Sequence, residues 1–99
     1  QIPALGVLKT FGNIESVGYM SFPRAGLTLA LDFRIKGSGT FKLLNRLDEI
    51  VMENSGSLYP AKDARMSSDT FKNSFKNLDY FSKFIDPKFS SSFWRRVNI

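Results

Sequence analysis

Between Leu58 and Arg65 a tyrosine, a lysine, an aspartate and an arginine are crowded into eight residues, Leu58-Tyr59-Pro60-Ala61-Lys62-Asp63-Ala64-Arg65. One phenolic hydroxyl, two cations and a carboxylate at that density are equipment for binding. Leu58 and Tyr59, followed by a proline that cannot donate to a β-ladder, predict an abbreviated strand opening into a loop. Loops carried on a rigid scaffold are where binding residues concentrate, although a solvated turn with idle charges has the same composition. A second candidate is Lys9, on the same strand face as Leu5, Val7 and Phe11. An unpaired ammonium there is costly unless it meets a partner or a ligand, or snorkels to the sheet edge. The chain has no Cys and no His. That excludes disulfides, thiolate zinc sites, a cysteine nucleophile and a histidine base. Gly37-Ser38-Gly39 is too short for a phosphate-cradling loop. Asp48, Glu49 and Glu53 read most simply as a solvated helix face.

The elements that must hold these residues are legible from period and punctuation. Ala4–Phe11 alternates as a strand, and Tyr19–Phe22 reads as a second short extended piece closed by Pro23 and Gly26. Leu27–Ile35 is the cleanest strand, with Leu27, Leu29, Leu31, Phe33 and Ile35 on one face and Thr28, Ala30, Asp32 and Arg34 on the other. Phe41, Leu44, Leu47, Ile50 and Val51 recur at helical spacing and predict a helix over Thr40–Asn54. Ser38 or Thr40 can cap its start, and Asn54-Ser55-Gly56 supplies a residue tolerant of left-handed geometry at its end. Its stripe is expected to pack on the odd-numbered face of the long strand, leaving Thr28, Ala30 and Asp32 towards a cavity or solvent. Further helices are predicted near Asp69–Phe75, capped by Ser67-Ser68-Asp69, and over Leu78–Ile85, stopped by Asp86-Pro87, with a last turn or two in Ser90–Val97. The fold class is α+β: antiparallel strands with a packed helix, then a tail of short helices.

Several motifs in chain order carry a resemblance. Val7-Leu8-Lys9-Thr10-Phe11-Gly12, Ser21-Phe22-Pro23 followed by Gly26-Leu27-Thr28-Leu29-Ala30-Leu31-Asp32-Phe33, Leu58-Tyr59 with Ala61-Lys62-Asp63 and Arg65, Asp86-Pro87-Lys88-Phe89, and Ser92-Phe93-Trp94-Arg95-Arg96 span nearly the whole chain. Together they resemble the C-terminal portion of the decaprenylphosphoryl-β-D-ribose 2′-oxidase family, within the vanillyl-alcohol-oxidase and aldonolactone-oxidase group of FAD-linked enzymes. The resemblance implies that residues 1–57 complete the antiparallel sheet of the substrate (cap) domain and that residues 58–99 return to pack on the FAD domain. It implies FAD, held mainly by upstream residues absent from this chain, and a sugar or polyprenyl-phosphate sugar whose secondary hydroxyl is oxidised. In the family this oxidation is half of an epimerisation, so a short-chain-type reductase is the implied partner. Lys62 matches the lysine that contacts flavin and substrate, and Tyr59 a tyrosine lining the same pocket. Lys9 matches a second pocket lysine. Thr28 and Ala30 face the substrate where mycobacterial members carry Asn and Cys, which leaves the exact substrate open. Asp63 and Arg65 read as pairing with each other or holding the loop. Trp94-Arg95-Arg96 reads as a terminal cap.

Ninety-nine residues make one small domain at most. The Gln1 start reads as an internal cut rather than a leader. No stretch approaches the roughly 20 apolar residues of a membrane span, so a cytoplasmic or peripherally membrane-associated protein is expected. The net charge of +5 is modest and its carriers are scattered. A small basic α+β module binding nucleic acid or anionic lipid through its C-terminal helices is the competing reading. Without a nucleic-acid-binding signature beside the charge, no nucleic acid is expected. An exposed sheet edge and ten Phe would favour self-association of the chain in isolation. Alone it is expected neither to hold FAD nor to turn over.

Overall fold

In the computed structural model, which describes residues 1–62 and 65–99, the chain is α+β. Strand β1 (Leu5–Phe11) pairs antiparallel with β2 (Gly26–Asp32), and helix α1 (Ser38–Glu53) follows. A 3-10 turn at Pro60–Lys62 leads to α2 (Ser68–Ser74), α3 (Leu78–Ser82) and α4 (Ser92–Val97). These elements divide into two compact units: Gln1–Ser16 with Pro23–Ile50, and Val17–Phe22 with Val51–Ile99.

In the first unit, the register sets Leu5 opposite Asp32 and Phe11 opposite Gly26. The Ala4 N–H extends the ladder by donating to the Asp32 carbonyl at 2.7 Å. Gly26 starts β2 at φ 141°, a backbone region that L side chains rarely adopt. Among the described residues of this unit, Thr40 is the one buried side chain. The start of the odd-numbered face of β2 is not covered: Leu27 and Leu29 are 71 and 60% exposed, as is Ile35 beyond the strand at 71%, while Leu31 and Phe33 on that face and Thr28 and Ala30 on the other are half-buried. The expected facing of this strand is therefore reversed at its first four residues. Alternation separates two sets of side chains but does not say which set is covered. The strand also ends at Asp32, short of Ile35.

The second unit is built around Met66, Phe71, Phe75, Leu78 and Val97, with Phe22, Leu58, Phe93 and Trp94 packed against them. Phe71 is the aromatic centre: its ring lies 5.0 Å from Phe75 and meets Phe93 edge-on at 5.5 Å. Ser67 caps α2 by accepting the Thr70 N–H at 3.1 Å, and Ser91 caps α4 by accepting the Trp94 N–H at 3.0 Å. Helix α3 stops at Ser82 rather than Ile85 because the Lys83, Phe84 and Ile85 N–H groups turn to acceptors three residues back. Tyr19–Phe22 forms no strand; the Ser21 N–H closes a turn onto the Gly18 carbonyl at 3.2 Å.

Candidate functional site

Residues directly opposite in an antiparallel pair project to the same face, and Lys9 stands opposite Thr28, as Val7 does opposite Ala30. Lys9, Thr28 and Ala30 are thus gathered on one face of the hairpin, with Leu5, Val7, Phe11 and Asp32 completing it. The opposite face carries Leu8, Leu27, Leu29 and Leu31. Thr28 and Ala30 are half-buried and form the floor, while the exposed Lys9 rises from it. The Lys9 ammonium lies over the Phe11 ring, 4.6 Å from its centroid. Its cross-strand neighbour is a neutral hydroxyl. Asp32, the carboxylate of this face, lies four residues further along β2, about 13 Å at strand rise. The face therefore presents a cation, a hydroxyl and, at Ala30, a small apolar side chain. A phosphoryl or hydroxyl-rich ligand has the matching acceptors.

The second group of candidates sits on the turn after α1. Helix α1 ends with Ser55 at φ 54°, its N–H on the Met52 carbonyl at 3.0 Å and the Gly56 N–H on the Val51 carbonyl at 2.7 Å. Gly56 is required by space, since a Cβ there would come within 2.6 Å of the Val51 side chain and 2.8 Å of its carbonyl oxygen. The chain is then pinned to the end of α2: Ser57 Oγ donates to the Ser74 carbonyl at 3.1 Å, and the Leu58 N–H donates to Ser74 Oγ at 3.2 Å. With the Leu58 N–H engaged there and no N–H on Pro60, no strand forms at Leu58–Tyr59, contrary to expectation. Pro60 instead opens the 3-10 turn that ends at Lys62. Tyr59 is 51% exposed, with its ring 5.1 Å from Phe22, which itself packs on the unit's core. Lys62 is exposed. Downstream, the fully buried Met66 anchors the segment again. A hydroxyl and an ammonium three positions apart are thereby carried on a turn held on both sides. Asp63, expected to pair with Arg65 or to hold the loop, lies outside the described residues.

Tyr59 and Lys62 belong to the second compact unit, and Lys9, Thr28 and Ala30 to the first. Residue patterning did not single out Phe11 as a partner of Lys9. Its signal was present all the same, in an aromatic two residues along the same strand face. Among the described residues no group of three or more His, Cys, Asp or Glu could hold a metal ion. No helix of the described residues is long and apolar enough to cross a membrane.

The chain is similar to part of an oxidase. It is 34% identical over 100 residues to the decaprenylphosphoryl-β-D-ribose oxidase of Mycolicibacterium smegmatis, an alignment covering 96% of this chain and 21% of that protein. It is also 33% identical over 99 residues to a Streptomyces coelicolor protein described as an uncharacterized protein in the mprA 5′ region, covering 95% of this chain and 27% of that one. The chain thus spans about a fifth to a quarter of the length of these curated relatives. No protein-family model matches it.

Proposed function

We propose that this chain is the C-terminal segment of an FAD-dependent oxidoreductase. The enzyme would oxidise a secondary hydroxyl of a sugar or polyprenyl-phosphate sugar to a ketone, with hydride passing to flavin N5. The observation that supports the reading is the extent of the similarity, which runs over 96% of the chain to a protein named as a decaprenylphosphoryl-β-D-ribose oxidase. The site geometry is compatible with it. Lys9 and Thr28, side by side on one strand pair, would offer an ammonium and a hydroxyl to a phosphorylated sugar, with the small Ala30 beside them on the same face.

A flavin is the group that the turn of the second unit would serve. Its reduced ring carries negative charge along one edge, and the pinned turn supplies a cation at Lys62 and a hydroxyl donor at Tyr59. When bound, the flavin supplies the hydride acceptor. Lys62 would set a positive charge beside the edge where negative charge develops, which would lower the barrier once the rest of the enzyme encloses it. Tyr59, its ring against Phe22, would offer one hydroxyl hydrogen bond to the same group. Residues gripping the rest of FAD would lie outside this chain, so the 99-residue chain alone would neither retain FAD nor turn over. The polyprenyl substrate implies an enzyme in the cytoplasm or at a membrane surface, working with a short-chain-type reductase that completes the epimerisation.

The test is a flavin spectrum of the whole polypeptide, with and without Lys62→Ala. The wild type should show oxidised-flavin absorbance that bleaches anaerobically with a phosphoribosyl-lipid or sugar substrate. The Lys62→Ala protein should keep its flavin and bleach about a hundredfold more slowly, as expected for losing one preorganised charge. A colourless wild type that cannot be reconstituted with FAD rejects the proposal.

A further inference from the structure

The Lys9 ammonium is held by a ring. Its Nζ lies 4.6 Å from the Phe11 centroid, on a strand face where its direct neighbour across the ladder is the neutral Thr28. The position opposite Phe11 is Gly26, whose φ of 141° disfavours any side chain, so nothing on β2 stands directly across from the ring. The free flank of Phe11 is taken by Lys9, two residues back on the same face. A carboxylate in that place would neutralise the ammonium and occupy its donors. An aromatic face restrains the flexible four-carbon stem and leaves the N–H donors open to an incoming anion.

We propose that Phe11 is a positioning residue that aims the Lys9 ammonium at an anionic group of the substrate, of phosphoryl type. The proposal rests on the oxidase reading above. Phe11 acts through Lys9 and need not touch the reacting atoms.

Two arms test it on the whole flavoprotein. In the kinetic arm, Phe11→Leu keeps bulk and removes the π face, whereas Phe11→Tyr keeps both. Phe11→Leu should raise KM for a phosphorylated sugar substrate about two- to fivefold, the range of one exposed cation–π contact, and by more than it lowers kcat. A neutral sugar substrate should show no such rise, and Phe11→Tyr should restore the wild-type KM. In a Lys9→Gln background Phe11→Leu should add little, because the two changes remove one interaction. Equal losses in the Leu and Tyr variants, or additive losses with Lys9→Gln, overturn the proposal. The second arm is NMR of the Lys9 ε-methylene, shifted upfield by the ring current in wild type and Phe11→Tyr and released in Phe11→Leu. If the protein binds no flavin the oxidase reading falls, yet this arm still decides the contact. A missing upfield shift in the wild type overturns the positioning role even where the enzyme is active.

Discussion

The Thr40 hydroxyl accepts the Lys36 backbone N–H at 2.8 Å and donates to Gln1 Oε1 at 3.0 Å, with the side chain 1% exposed. Gln1 in turn donates through Nε2 to the Arg34 carbonyl at 2.6 Å, so one buried hydroxyl ties the end of the β2 segment to the start of α1. Removing it leaves the partly buried Lys36 N–H without its acceptor. Thr40→Val should therefore destabilise the chain by about 1–3 kcal/mol in chemical denaturation, and Thr40→Ser by much less. If Val and Thr prove equally stable, the hydroxyl is not holding that corner. The role was half legible. Residue type marked Ser38 and Thr40 as possible caps, but propensity reads caps forward into a helix, whereas Thr40, three residues into α1, reaches back to Lys36. Lys9 was legible on its strand face, and its ring partner was not, because spacing fixes which residues share a face and leaves side-chain torsions open.

At the scale of elements, the β1–β2 pair is a two-stranded ribbon, marginal in water unless something covers it. Leu8, Leu27 and Leu29 lie on one face at 66, 71 and 60% exposure, and the register sets Leu8 directly opposite Leu29. We expect the 99-residue chain in isolation to self-associate through this aliphatic face. Leu29→Lys should then shift it towards monomer in sedimentation equilibrium, while a lysine at the exposed Ile14, which lies off the ribbon, should not. Association unchanged by Leu29→Lys would remove this face from consideration. The strands, helix α1 and the caps at Ser67 and Ser91 follow from local period and punctuation. The covered face of β2 does not, since it depends on partners distant in sequence. The Leu58–Tyr59 strand failed for a comparable reason: its N–H went to Ser74, sixteen residues on.

At the scale of the molecule, the choice between an oxidase segment and a basic binding module turns on what the chain does alone. A net charge of +5 on 99 residues is compatible with either. The two differ in salt dependence and in flavin retention. A module that neutralises several phosphates loses affinity steeply as salt rises, with a log–log slope near the number of contacts. A segment whose lysines serve a flavin and a sugar in a larger enzyme has no reason to track a polyanion, and its exposed Lys9 and Lys62 sit in different compact units. The isolated chain mixed with FAD should accordingly leave flavin fluorescence unquenched and release the dye on gel filtration, while the whole polypeptide retains it. Against a single-stranded oligonucleotide or an anionic vesicle the isolated chain should bind weakly, with a shallow slope. Tight binding with a slope of several, together with a flavin-free whole polypeptide, would reverse the assignment. Retention of FAD by the whole polypeptide alone would instead favour the oxidase segment, with the phosphate-gripping part of the flavin site supplied from elsewhere in the enzyme.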